Sequence, residues 1–103
     1  MVNWDRITEL QEEVGEEDLA EVLALFCEEV EEALGALSTT DANSLKGHLH
    51  FLKGSALNIG LDQVSALCRE AEQSLANDPK SAFAMDDIRT AYQSARAELQ
   101  DLL

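Results

Sequence analysis

Positive charge is scarce in this chain. Seven Lys and Arg stand against 21 Asp and Glu among 103 residues, a net charge of -14 at pH 7. A surface of that sign repels nucleic acid and anionic membranes, so neither is expected as a partner. Aromatic residues are few, at 5%, and there is one proline. No window alternates apolar and polar residues as a half-buried strand does, and no glycine-rich phosphate loop is present. An ATP-binding kinase domain and a strand-helix alternating domain are therefore both excluded. No apolar run approaches the roughly 20 residues of a membrane span. The start, MVNWDRITEL, lacks the basic opening and apolar centre of a signal peptide, so a cytoplasmic location is expected. Only two cysteines occur, Cys27 and Cys68, both on apolar stripes. They are expected to be small buried hydrophobes and not a disulfide or a metal pair.

What is plentiful is Ala, Leu and Glu, in a chain that is 46% hydrophobic. That mixture favours helices, and the length suits one domain, residues 1–103. Asn3 is placed to cap a short first helix bearing Trp4, Ile7 and Leu10, interrupted at Gly15. A longer helix is expected from about Glu16 to Leu37, with Leu19, Leu23, Phe26, Val30, Ala33 and Leu37 as its stripe. Glu16, Glu17 and Asp18 would suit its positive start. Asp41 is a good N-cap for a third helix ending near Ile59, with Gly60 as a left-handed cap. A fourth begins near Asp62 and carries Val64, Leu67, Cys68, Ala71 and Leu75. Asp78 and Pro79 open a last segment whose regular part starts near Asp86. Its stripe is Met85, Ile88, Tyr92, Ala95, Leu99 and Leu102. The expected fold is all-α, an antiparallel up-down four-helix bundle with a short additional N-terminal helix packed across one end.

Within the third helix lies HLHFLKGSALNIG, residues 48–60. At 100° per residue, Leu45, Leu49, Leu52, Ala56 and Ile59 gather on one side. His50 points almost directly away from them, with Lys46, Gly47, Lys53, Gly54 and Leu57 on its side. Gly47 and Gly54 each weaken a helix interior by roughly 1 kcal/mol relative to alanine. Two glycines bracketing one outward histidine leave room for something to approach the ring. Residues 42–61 contain no acid but hold Lys46 and Lys53, whereas residues 9–32 hold eleven acids and no base. An acid-free, lysine-bearing patch suits a passing anion. An ordinary imidazole titrates near about 6.5 and is largely neutral and nucleophilic at cytosolic pH. Lys53 would offset part of the charge on a transferred phosphoryl group, and the glycines would admit an in-line donor. His48 lies 200° along the helix from His50, so the two do not share a metal, and a partly buried structural role is expected for it.

HFLKGSALNIGL resembles the signature of histidine-containing phosphotransfer (HPt) proteins of multistep two-component phosphorelays. The matching residues are His50, Leu52, Lys53, Gly54, Ser55, Ala56 and Gly60, continued by Leu67, Cys68 and Glu72 on the next helix. The close match spans about 25 residues. The resemblance implies a helical bundle in which His50 accepts a phosphoryl group from a receiver-domain phospho-aspartate and passes it to another receiver aspartate. Lys53 would steady the group, Gly54 would keep the approach open, and Glu72 would orient the ring, at a position where many relatives carry Gln. Gly47 and Leu49 also depart from the family's frequent base and alanine, which is read as variation in the docking face. The implied partners are receiver domains of response regulators and hybrid sensor histidine kinases. They would dock around His50 on Leu57, Phe51 and Val22, with Lys46 and Gly47 supporting the site. Leu19 and Leu23 are better assigned to the core.

On this reading the chain is a phosphorelay carrier and not an autonomous enzyme. It needs no cofactor of its own, and Mg2+ is expected on the receiver. A competing reading is a helical adaptor, never phosphorylated, that inhibits a receiver or kinase by occupancy. His50, Lys53 and Gly54 together argue against it, since a pure binder needs no nucleophile. A metal-binding bundle lacks a paired ligand set. With no extra heptad seam, a monomer is expected, and Met1 with the compact length favours a free-standing protein.

Overall fold

The computed structural model describes residues 1–39, 41–78 and 85–103, and these are helical throughout apart from turns and ends. The elements are α1 (Trp4–Val14), α2 (Leu19–Thr39), α3 (Ala42–Asn58), α4 (Asp62–Asn77) and α5 (Met85–Leu99), closed by a 3-10 turn, Gln100–Leu102. Helix α3 packs on α2 and α4, and α5 packs on α4 and returns to α2, which closes the four-helix bundle. Helix α1 lies against α2 as the additional N-terminal helix. No helix among the described residues is long and apolar enough to cross a membrane.

The expected stripes form the core. Leu23, Val30, Leu49, Leu52, Ile59, Val64, Cys68, Ile88 and Leu99 are almost wholly removed from water. Leu19 is buried with them, whereas Val22, Phe26 and Leu45 pack at its margin. Each such aliphatic side chain gains about 1.5–3 kcal/mol from burial. Cys27 and Cys68 are both free and buried. Burial, then the nearby Glu72 charge, pushes the Cys68 thiol up to about 12. Tyr92 is buried among α2 and α5, its hydroxyl donating to Glu31 Oε2 at 2.5 Å. Burial first, and that hydrogen bond second, push its ionisation up.

Helix ends follow side-chain chemistry. Asn3 Oδ1 accepts from the Arg6 N–H (3.3 Å) and Asp41 Oδ1 from the Ser44 N–H (2.8 Å), each satisfying a first-turn donor. At the end of α3 the Leu61 N–H donates to the Ala56 carbonyl and the Gly60 N–H to the Leu57 carbonyl. That bond pair is the Schellman closure, and it requires the left-handed φ of +74° that Gly60 adopts. Gly60 is constrained twice, because a Cβ there would sit 2.6 Å from the Asn3 carbonyl oxygen. The Asn3 N–H donates to the Gly60 carbonyl (2.7 Å), Asn3 Nδ2 to Asp62 Oδ2 (2.9 Å) and Arg6 Nε to the Asn58 carbonyl (2.8 Å). The start of α1 thus clamps the α3–α4 turn.

Two expectations need correction. Helix α2 starts at Leu19, and Glu16–Asp18 form the turn before it. Gly15, at φ +91°, redirects the chain after α1, and Leu19 is the first residue there with a core site to fill. Trp4 does not share the burial of Ile7 and Leu10, being 46% exposed at the helix start. The expected opening at Asp78 and Pro79 falls partly outside the described residues, since Pro79 is not among them.

Candidate functional site

The site is built by the register of α3 against α4. The Gly60 turn reverses the chain sharply, so positions equally far from it in sequence come to similar heights. His50 lies ten residues before Gly60 and Glu72 twelve after it, rises of roughly 15 and 18 Å. The two side chains therefore meet near the middle of α3, where the helix leaves flat flanks on either side of the histidine.

His50 stands out from the bundle with 74% of its side chain exposed. Its Nδ1 lies 3.7 Å from Glu72 Oε2. That separation exceeds a hydrogen bond, so Glu72 faces the ring without gripping it. The shorter contact of Glu72 is to Lys53, whose Nζ lies 3.1 Å from Oε1. Lys53 and Glu72 keep only 28% and 21% of their side-chain exposure. Glu72 Oε1 is itself buried and has no hydrogen-bond partner. The two observations describe one geometry: the ammonium is close enough for ion pairing but off the alignment of a hydrogen bond. Imidazole, ammonium and carboxylate thus form a connected group of three, drawn from two helices, with Nδ1 turned toward α4 and Nε2 on the ring's other side.

Gly47 and Gly54 are both exposed, and a Cβ built at either meets nothing within 4 Å. Nothing inside the protein requires these glycines. Both have ordinary helical backbone, and the space beside them is open to an incoming molecule. Lys46 is exposed on the same helix, and His48 is half-buried. Leu57 and Phe51 are 54% and 52% exposed, as is Leu25 on α2 at 54%, whereas Val22 is half-buried on α2.

An open groove of about 690 Å³ lies between α3 and α4 on the side of Lys53 and Gly54, walled from α4 by Ala66 and Arg69 and also by the acidic Asp62 and Glu70. Arg69 and Ala66 carry no motif of their own. Their signal in the sequence is the three-residue step 66, 69, 72, which sets them along one side of α4 with Glu72. Among the described residues, no group of three or more His, Cys, Asp and Glu is arranged to hold a metal ion.

A model of the Hpt domain matches residues 21–103, which take in nearly all of α2 and everything after it; α1 lies outside the match. Among curated proteins, the chain is similar to "Histidine-containing phosphotransfer protein 1" of Oryza sativa subsp. japonica. The two are 27% identical over 109 aligned positions, covering 97% of this chain and 74% of the relative. No solved structure matches. An all-helical bundle with a lysine-flanked histidine on its third helix, matched by the family model over most of its length, belongs to the Hpt domain family.

Proposed function

We propose that His50 is the phosphoryl acceptor of this chain and that it carries the group between receiver domains. Histidine phosphotransfer within a phosphorelay is the activity of the Hpt domain family. The observation that carries the assignment to one residue is exposure. His50 projects from the centre of α3 with Lys53 beside it, whereas His48 is half-buried.

The step runs as a displacement. The lone pair of His50 Nε2 attacks phosphorus in a receiver aspartyl phosphate, the P–N bond forms, and the P–O bond to the aspartate breaks. The carboxylate leaves with the bonding electrons. The reverse step, onto an aspartate of a second receiver, restores the free imidazole. Lys53 offsets charge on the phosphoryl oxygens, and the open space at Gly47 and Gly54 admits the donor in line. Magnesium, where the transfer uses it, is held by the receiver. The receivers dock around His50 on exposed Leu57 and Phe51, with Val22 at the edge and Lys46 facing their acidic centre. An apolar core with a charged rim is the usual anatomy of such contacts.

The test is transfer of label from a panel of radiolabelled phospho-receivers to the wild-type protein, His50→Gln and His48→Gln. Label should reach wild type and His48→Gln but not His50→Gln. Receiver binding without any transfer to wild type would instead make the chain an adaptor that acts by occupancy.

A further inference from the structure

Helix α2 has an outward face that no described element covers. Its sides are taken: α2 packs against α3, and against α5 where Glu31 accepts from Tyr92. Between those contacts runs a stripe at alternating four- and three-residue steps, Glu21, Leu25, Glu28, Glu32 and Gly35, all exposed. The stripe is roughly 21 Å long. Leu25, 54% exposed, lies at a shallow groove of about 650 Å³ whose other walls are glutamates, Glu28, Glu29 and Glu32 among them.

A lone exposed leucine needs no explanation, but this one coincides with two further features that the bundle does not use. The carboxylates of Glu21, Glu28, Glu29 and Glu32 make no ion pair or hydrogen bond among the described residues. Glu28 and Glu32 stand four positions apart, where like charges repel along a helix. Gly35 lies in the helix interior with ordinary backbone, and a Cβ there meets nothing within 4 Å. Alanine at that position would make the helix more stable.

We propose that this face docks a basic helix of a partner protein, one that sets lysines or arginines against the glutamates and an apolar side chain against Leu25. Charge complementarity selects the occupant. A receiver, which brings an acidic centre to His50, is repelled here. A second copy of this chain is repelled too, since it carries 21 acids against seven bases. Gly35 selects the form of the occupant, because the missing Cβ lets another helix backbone come close. The spacing of the stripe suits a helix lying along α2, with anchors at the same three- and four-residue steps. The proposal is independent of the reading of His50 as phosphoryl acceptor. It gives the protein a second contact, on a helix other than the one that bears the histidine.

The probe is a synthetic helical peptide of Ala, Lys and Leu, about four turns long, with lysines at three- and four-residue steps on both sides of one leucine. A second peptide has alanine in place of the leucine. A third has the composition of the first with its lysines spread around the helix. Each is titrated at low salt into 15N-labelled protein, and binding is read from amide shifts. The first peptide should shift residues of the α2 stripe and bind about tenfold more tightly than the other two. Leu25→Ala should abolish the preference for leucine. Glu28→Gln combined with Glu32→Gln should weaken binding and flatten its salt dependence. Gly35→Leu, its fold checked by circular dichroism, keeps every charge and should weaken binding by at least about tenfold. Shifts spread over α1 and α5, equal affinity for the three peptides, or no binding at all overturn the proposal. So does a dimer of the protein alone that Leu25→Ala dissolves, which makes a second copy the occupant. Slower transfer from a phospho-receiver to Leu25→Ala places the face in the receiver contact and overturns the assignment as well.

Discussion

Replacing Gly54 by alanine is expected to make the protein more stable and a worse phosphoryl acceptor. Gly54 lies in the interior of α3 with ordinary helical backbone, and an added Cβ meets nothing within 4 Å. The substitution therefore brings the helix-propensity gain with no steric cost, about 1 kcal/mol. For a domain of this size that is a rise in Tm of about 4–8 °C. The same methyl group projects into the space from which a phospho-receiver would reach His50, one helical turn away. Misplacing a reacting group by about 1 Å can cost as much as 10²-fold in rate, so transfer should slow by at least about tenfold. Gly35 provides the control. It is exposed on α2, away from the helix that carries His50, and a Cβ there also meets nothing. Gly35→Ala should raise Tm by a similar amount and leave transfer unchanged, and Gly47→Ala should behave like Gly54→Ala. The assays are thermal melts by circular dichroism and single-turnover transfer from a labelled phospho-receiver. A stabilised Gly54→Ala that accepts phosphate at the wild-type rate would falsify the steric argument. A destabilised one would show that the space beside the glycine is not open.

Gly60→Ala should do the opposite of Gly54→Ala, because it combines a left-handed φ with a Cβ placed 2.6 Å from the Asn3 carbonyl. A loss of about 1–3 kcal/mol is expected, read as a lower denaturation midpoint; an unchanged midpoint would contradict the clamp between α1 and the α3–α4 turn. Asp41 ionises below the ordinary carboxylate value because the Ser44 backbone N–H bonds its charged form. Its stabilising effect is therefore fully present above the unfolded value of about 3.9 and disappears as pH falls through the lower folded value. The Tm difference between wild type and Asp41→Ala should be constant near neutrality and vanish in that acid window; a difference that persists at the acid end speaks against the cap. Cys68, wholly buried and with its thiol pushed up to about 12, should resist iodoacetamide at pH 8 until the protein unfolds. Rapid native labelling would show that α4 opens locally.

Where a structural feature depends on neighbours in the chain, it was legible in the sequence. The caps at Asn3, Asp41 and Gly60 follow from side-chain chemistry and backbone freedom acting over three or four residues. The outward direction of His50 follows from the 100° turn and the core stripe opposite it. Helix α2 shows the limit of that local logic. Glu16–Asp18 suit a helix start and a turn equally well, and burial of Leu19 decides between them. Features that depend on packing register were out of reach. Nothing local pairs Lys53 with Glu72, 19 residues on, or brings the Arg6 guanidinium to the Asn58 carbonyl. The HPt-like motif pointed to Glu72 as a neighbour of the ring, but only the helix register shows that Lys53 is its nearer partner.

One nitrogen-bearing side chain, His50, is proposed to carry the phosphoryl group. That assignment is tested most directly by locating the group in the protein after incubation with a phospho-receiver. Mass spectrometry under alkaline conditions, with fragmentation that preserves the P–N bond, resolves His48 from His50 within a single peptide. Modification of His50 alone is expected. Modification of His48, or of any carboxylate or hydroxyl in its place, would contradict it.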